Sequence, residues 1–318
     1  MNQARPFLVD IHPLDYLPAV TFPGEHFPGM QVGSWTLLRE QTVRIQHEGV
    51  VSQERRDVVK NELIQPGNVY SGVLKIISTF QGPDNRVWRM EGTAFAVDEF
   101  HALTSAHMMW HSKLGPAKTA VLCPDERSKT YDAQSRIKCI AVAVHAKWMS
   151  SHQPENDFCM VAMAEVFGPG VRPLRAELVP NLLSFEGEVV GFPLDMPATS
   201  KGSRLIVCHG PAEFYQNEAG VMIRHKVNTA GGSSGSPLYT TSKKVVAVHC
   251  LFDSNEMKNY AVPINLNGND VSQFEGVLRH MRDRRLKLPN TTLGLGAATH
   301  EIYRKQKVFA FGQQGATG

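Results

Sequence analysis

The sequence predicts an all-β chain folded as two lobes of antiparallel strands. From about residue 69 onward, short runs rich in β-branched and aromatic residues are cut by Gly, Pro, Asn and Asp, the texture of strands joined by turns. No helical segments alternate with these runs, which argues against a parallel α/β sheet and for a sandwich or barrels. One turn-rich stretch, Phe167-Gly-Pro-Gly-Val-Arg-Pro173, divides the runs into two groups and reads as the inter-lobe connection.

In the first lobe, residues 69–170, strands are expected at Val69–Thr79, Val87–Val97, His101–Ala106, Lys138–Val144 and Phe158–Ala164, with a turn at Gln81-Gly-Pro-Asp-Asn85. In the second, residues 171–285, they are expected at Gly187–Phe192, Arg204–His209, Gly220–Val227 and Lys244–Cys250. A helix closes that lobe. Asp270 can cap it with Gln273 three residues on, and Val271, Phe274, Val277, Leu278 and Met281 share one face. Arg282, Arg284 and Arg285 fall at its C-terminal end, where the helix dipole favours cations.

The flanks carry less. Residues 1–68 form an N-terminal extension without a usable motif, with Pro6, Pro13, Pro18, Pro23 and Pro28 at its start and a short helix expected within Val51–Leu63. Residues 286–318 are Gly-rich and weakly patterned, and a mobile tail is expected there.

At 318 residues the chain can bury a full core. Its formal charge of +3 is spread without any block of five like charges, so no nucleic-acid partner is expected. The prolines and acids of the first thirty residues interrupt any signal-peptide core, and no apolar run is long enough to span a bilayer. The five cysteines are odd in number and widely spaced, without a Cys-x-x-Cys. That pattern favours reduced thiols in a cytoplasmic protein, with no metal site and no cofactor. Oligomeric state is not legible.

Three segments carry chemistry together. In Gly92-Thr-Ala-Phe-Ala-Val97 followed by Leu103-Thr-Ser-Ala-His107, a histidine follows directly on a strand, with small residues leaving room around its ring. In Glu155-Asn-Asp157-Phe-Cys-Met160, an acid stands at the mouth of an apolar strand, suited to orient an imidazole. Either residue taken alone reads more simply as structural. In Thr229-Ala-Gly-Gly-Ser-Ser234-Gly-Ser-Pro237, glycines let backbone N–H groups converge on one point, as an oxyanion hole requires.

Thr-Ser-Ala-His, Asn-Asp-Phe and Gly-Ser-Ser-Gly-Ser-Pro, in that order, resemble the trypsin/chymotrypsin superfamily of serine proteases. The Ser-Pro ending, and Gly191-Phe-Pro193 before the second-lobe hairpin, are most similar to its glutamyl endopeptidase (V8-like) branch. The resemblance covers roughly residues 70–283. It implies a chymotrypsin-like double six-stranded antiparallel β-barrel with the C-terminal helix, acting on protein or peptide substrates. Carried over, Ser234 is the nucleophile, His107 the general base and then acid, and Asp157 the orienting carboxylate. Gly232 and Ser234 supply the oxyanion N–H groups.

For specificity the resemblance points to Thr229, five residues before Ser234, and His249, fifteen after it. A hydroxyl and an imidazole N–H can both donate to a Glu or Gln side chain, and neither suits Lys or Arg. A neutral His249 suits Gln and a protonated one Glu. Two departures stand out. Where the branch continues Trp-Gly-Gly, this chain has Cys250-Leu-Phe252, and its amino terminus resembles no activation sequence.

Three other readings remain. Gly231-Gly-Ser233-Ser-Gly235 also satisfies the Gly-x-Ser-x-Gly elbow of α/β-hydrolases, with Ser233 as nucleophile. That fold needs a parallel sheet and the order Ser, acid, His. The other two are an inactive chymotrypsin-like binding scaffold and an RNA-binding lobe. The complete triad in proper order opposes the first, and the near-neutral charge opposes the second.

Overall fold

The computed structural model describes residues 31–32, 45–46, 56–81, 87–124, 136–177, 184–195, 205–253, 255–272, 274–275, 278 and 308–310. Twelve of its strands close into two barrels. The first comprises β1 (Val73–Gln81), β2 (Val87–Ala96), β3 (His101–Thr104), β4 (Thr119–Cys123), β5 (Ile137–Val144) and β6 (Cys159–Met163). Its strands pair antiparallel in the order β2-β1-β4-β5-β6-β3, and β3 returns to β2 through Phe95–Leu103 and Ala96–Ala102. The second comprises β7 (Ser184–Gly191), β8 (Ile206–Gln216), β9 (Val221–His225), β10 (Pro237–Tyr239), β11 (Val245–Asp253) and β12 (Lys258–Pro263). Here the order is β7-β10-β11-β12-β9-β8, closed by β7 on β8. Two closed six-stranded antiparallel barrels in sequence are the chymotrypsin-like fold.

Alternation along the strands fills each barrel. Leu74, Ile76, Ala94, Leu122, Val142 and Val161 belong to the apolar interior of the first. Val189, Ile206, Ile223, Leu238, Ala247 and Ala261 belong to that of the second. A third cluster joins the two, with Phe95, Leu103, Phe158 and Met160 from the first barrel against Val190, Phe192, Tyr239, Val248 and Val262 from the second. Burying a large apolar side chain contributes about 1.5–3 kcal/mol, so this seam fixes one barrel against the other. The segments bearing His107, Asp157 and Ser234 all border the seam.

Nine of the twelve barrel strands overlap runs expected from sequence; β4, β10 and β12 were not anticipated. β10 is three residues long and opens on Pro237, a position where a strand tolerates the missing N–H. β8 continues seven residues beyond the expected Arg204–His209, through Gly210 and Pro211. Those two residues sit where β8 changes partner on one side, from Arg56–Val58 to β9.

The helix expected within Val51–Leu63 is replaced, among the described residues, by the strand Arg56–Val58 and one helical turn at Asn61–Ile64. Antiparallel pairing to Ile206–Cys208 overrides the weak local helix preference. At the other end, residues 271, 272, 274, 275 and 278 are helical. Asp270 caps them, its Oδ1 accepting from the Ser272 N–H at 2.9 Å and its carbonyl from that of Phe274 at 3.2 Å. Phe274 and Leu278 are buried as the apolar face requires. The expected arginine-rich end of this helix lies outside the described residues, as does the expected tail apart from Val308–Ala310, which pairs with β5.

Candidate active site

β3 ends at Thr104, and the chain turns through Ser105 into a single 3-10 turn, Ala106–Met108, that carries His107. The small residues at 105 and 106 are fully buried, as the tight exit from the barrel demands. Ser105 Oγ donates to the carbonyl of His249 across the seam at 2.8 Å. Asp157 follows another 3-10 turn, Pro154–Asn156, at the mouth of β6. The second barrel's exit holds that turn: Asn269 Nδ2 donates to the Glu155 carbonyl at 2.9 Å, and Asn156 Nδ2 to that of Asn267 at 3.1 Å. Next to Asp157, Phe158 packs on Phe274 of the C-terminal helix, ring centroids 5.5 Å apart.

These supports bring the acid onto the imidazole. Asp157 Oδ2 lies 2.6 Å from His107 Nδ1, and Oδ1 accepts from the His107 backbone N–H at 2.8 Å. Both residues are 1% exposed. A carboxylate held at both oxygens cannot rotate away, so Nδ1 keeps the proton and Nε2 is the basic nitrogen. Trp148 stands beside the ring, centroids 6.4 Å apart, its indole N–H tied to the Trp110 carbonyl at 3.0 Å.

Ser234 lies in the loop between β9 and β10, and the loop is clamped to the first barrel by Thr93 of β2. The Thr93 N–H donates to the Ser234 carbonyl at 2.8 Å, and its hydroxyl donates to the Gly232 carbonyl at 2.8 Å. The same hydroxyl accepts from the Phe192 N–H at 3.0 Å. Two glycines are obligatory here. Gly232 has φ +99°, and a Cβ there would meet the Phe192 carbonyl oxygen at 2.3 Å. Gly235 has φ +87°, and a Cβ would meet that of Thr93 at 2.0 Å. Left-handed φ and lack of space both exclude other residues.

Ser233 is a turn residue. Its N–H donates to the Ala230 carbonyl at 2.9 Å, and its hydroxyl accepts from the Ala230 N–H at 3.3 Å. The α/β-hydrolase reading that made it a nucleophile fails on the fold, because both barrels are antiparallel and the parallel sheet from which such an elbow projects is missing among the described residues.

His249 sits on β11 at a bulge, where the register to β12 shifts between His249 and Leu251. A bulge re-aims side chains, and here His249 and Cys250 are both fully buried. The carbonyl of His249 accepts from the Gly235 N–H at 2.8 Å as well as from Ser105, so one peptide group joins the histidine turn to the serine loop. His249 Nδ1 is 3.2 Å from Nε2 of His225 on β9, and its own Nε2 has no hydrogen-bond partner among the described residues. Burial above all, then the neighbouring His225 and His107, holds the His249 pKa well below the usual imidazole range. Burial pushes that of His225 down to about 3. Both are therefore neutral near pH 7. Thr229, 1% exposed, donates its hydroxyl to Asn259 Oδ1 at 2.9 Å, and Asn259 Nδ2 donates to the Val227 carbonyl at 2.8 Å.

Thr93, Ser105, His225 and Asn259 were not singled out from sequence. Thr93 lies in the same Gly92-Thr-Ala-Phe run that leads to His107, and His225 lies in an expected strand, but nothing local marks Thr93 as bonded across the seam or His225 as the neighbour of His249. All five cysteines are buried, and none is in a disulfide. Among the described residues no three or more His, Cys, Asp or Glu side chains gather as a metal cluster, and no helix is long and apolar enough to cross a membrane.

The fold is the chymotrypsin-like one of two closed antiparallel barrels. Its structural neighbours are a Glu endopeptidase and other proteases of this kind. A structure of Glu endopeptidase in complex with MPD aligns with a TM-score of 0.56 at 18% identity, covering 74% of this chain and 99% of that one. The inactivated protease paralogue S-I1 of the scabies mite aligns at 0.49 and 11% identity, over 70% and 100% of the two chains. The protease Anisep of Arthrobacter nicotinovorans aligns at 0.46 and 17%, over 60% and 89%. No family model and no curated protein matches the sequence.

Proposed function

We propose that the protein is a serine endopeptidase in which Ser234, His107 and Asp157 form the triad and Glu or Gln is preferred before the cleaved bond. The observation that carries this reading is the buried His107–Asp157 pair, 2.6 Å between Nδ1 and Oδ2 and gripped again through the His107 N–H. A buried imidazole so oriented, one shared peptide group away from a Gly-Ser-Ser-Gly loop, suits proton transfer better than packing.

In the proposed reaction His107 Nε2 takes the Ser234 proton as Oγ attacks the scissile carbonyl. The N–H groups of Gly232 and Ser234 stabilise the oxyanion. His107 then protonates the leaving amine, and water, deprotonated by the same nitrogen, resolves the acyl-enzyme.

The specificity proposal narrows to one tautomer. A single proton lies between His225 Nε2 and His249 Nδ1. If His225 donates it, His249 carries its own proton on Nε2 and can offer it to a Glu or Gln side-chain oxygen. Thr229, whose hydroxyl proton is given to Asn259, helps shape the pocket and donates only by exchanging that bond. A neutral His249 can donate to either oxygen type but suits the uncharged Gln side chain better, because a buried Glu carboxylate would lack a counterion there.

Labelling with a serine-reactive fluorophosphonate, combined with a cleavage screen over a peptide library, tests the proposal. Ser234-dependent labelling and cuts after Glu or Gln are expected. A folded protein that neither labels nor cuts is a binding scaffold, and the endopeptidase reading fails.

A further inference from the structure

The turn that leads to Asp157 meets the exit of the second barrel, and three side chains at that junction each carry an oxygen that nothing described satisfies. Glu155 is 3% exposed, and Asn156 and Asn269 are fully buried. Glu155 Oε1, Asn156 Oδ1 and Asn269 Oδ1 have no hydrogen-bond partner among the described residues. In both amides the other atom fixes which end is oxygen. Asn156 Nδ2 faces the Asn267 carbonyl at 3.1 Å and Asn269 Nδ2 the Glu155 carbonyl at 2.9 Å. A carbonyl only accepts, so the atom facing it must be the amide nitrogen. All three remaining atoms are therefore acceptors.

Asn267 draws these side chains together. Its backbone is left-handed, φ 54°. Its Nδ2 donates to the carbonyls of Val221 at 2.6 Å and Glu155 at 3.3 Å, and its Oδ1 accepts from the Val221 N–H at 2.9 Å. A Cβ on Gly220 would meet Asn267 Oδ1 at 2.7 Å and Glu155 Cγ at 3.2 Å. The Glu155 side chain thus runs beside Asn267 under the start of β9, and Asn269 follows on the same short loop. No Lys, Arg or His among the described residues forms an ion pair with Glu155. A buried carboxylate without a cation is costly, as is each buried acceptor left unmade. Water can satisfy the amide oxygens but leaves the charge uncompensated.

We propose that this junction is a Ca²⁺ site, with Glu155 Oε1, Asn156 Oδ1 and Asn269 Oδ1 as its protein ligands and water in the remaining positions. One carboxylate and two amide carbonyls form the hard, all-oxygen set that suits this ion, whereas imidazole or thiolate would favour zinc or copper. The site stands outside any cluster of acids or histidines because two of its three ligands are amides. With a single carboxylate the dissociation constant is expected at the weak end, about 10⁻⁴–10⁻³ M. The bound ion would tie the turn that leads to Asp157 to the second barrel. The inference does not depend on the endopeptidase reading.

The experiment uses the full-length protein freed of metal with a chelator, then titrated with CaCl₂ by calorimetry and melted with and without the ion. Binding of one Ca²⁺ is expected, with a rise in melting temperature of about 3 °C or more at about 10 mM. Mg²⁺ and Na⁺ at matched ionic strength should give much less. Glu155→Gln keeps the shape, removes the charge and is expected to weaken binding about tenfold or more. Glu155→Asp, which keeps the charge on a shorter arm, should fall between the two and decides the matter if the Gln variant does not fold. Glu218→Gln, at an exposed acid of the neighbouring turn, should bind as the wild type does. Three results each overturn the site: no calcium-dependent heat or shift in the wild type, an equal shift with Mg²⁺ or Na⁺, or undiminished binding in the Glu155 variants.

Discussion

His225 Nε2 lies 3.2 Å from His249 Nδ1, the two rings edge to face and both sealed from solvent. In that arrangement one ring sets the tautomer of the other, and only the form in which His225 donates leaves His249 Nε2–H as a donor. His225→Phe keeps the bulk and removes the donor. It is expected to lower kcat/KM for Glu and Gln peptides by about tenfold or more, in line with losing one buried hydrogen bond from a polar-group site, with little change for Leu peptides. His249→Ala should do the same. A peptide series assayed on each variant checks this, and an unchanged ranking of Glu, Gln, Leu and Arg would remove His249 from the pocket.

Ser234→Ala, His107→Ala and Asp157→Asn are each expected to leave the fold intact and to reduce peptide hydrolysis by roughly three orders of magnitude or more. Ser233→Ala is expected to cost far less, since its hydroxyl accepts only the Ala230 N–H at 3.3 Å. Circular dichroism and steady-state assays on the four variants decide it. An inactive Ser233→Ala beside an active Ser234→Ala would overturn the assignment.

Thr93 is the first-barrel anchor of the serine loop. Thr93→Val keeps the shape but leaves the buried Gly232 carbonyl and Phe192 N–H without their partner, a loss of about 1–3 kcal/mol. It should lower kcat more than it raises KM, because the disturbed Gly232 peptide lies in the proposed oxyanion hole. Thr93→Ser, which restores the hydroxyl, should recover most of the rate. Equal activity in the Val and Thr forms would show that the clamp is structural only.

Acid should weaken the fold before it charges the buried histidines. Burial holds His111 and His145 down to about 4 and His225 to about 3, with His249 lower than its usual range for the same reason. Below about pH 6.5 the unfolded chain takes up protons that the folded chain refuses. Stability is therefore fully present above that pH and declines as pH falls toward 4, by at most about 1.4 kcal/mol per pH unit for each such histidine. His145→Asn keeps an acceptor at the N-cap of Ala146–Ser151 and removes one of these groups. Urea melts of both forms from pH 7.5 to 4.5 should show a shallower slope for the variant, and parallel slopes would refute the account.

Reductant should change neither melting temperature nor any activity, since the five cysteines are separate buried thiols whose pKa, where perturbed, is raised by burial, in Cys208 up to about 12. Thermal melts with and without dithiothreitol check this. A fall of about 10 °C or more would reveal a disulfide, worth 2–5 kcal/mol.

Much of this protein is written locally. The short β-branched runs cut by turn residues, the Gly232 and Gly235 positions that need a left-handed φ, and the Asp270 cap are properties of a few adjacent residues, so the two-lobed β-architecture and the order His107, Asp157, Ser234 can be read from the chain. Pairing between distant segments cannot. Residues 56–58 became a strand because β8 offered an edge, and the anchors Thr93 and Ser105 reach partners 139 and 144 residues away. The 2.6 Å approach of Asp157 to His107 is supported from across the seam by Asn267 and Asn269, and the neutral His225–His249 pair depends on burial of β9 and β11 inside the second barrel. Hydrogen bonds and burial at that seam are set by packing, which no window of sequence contains.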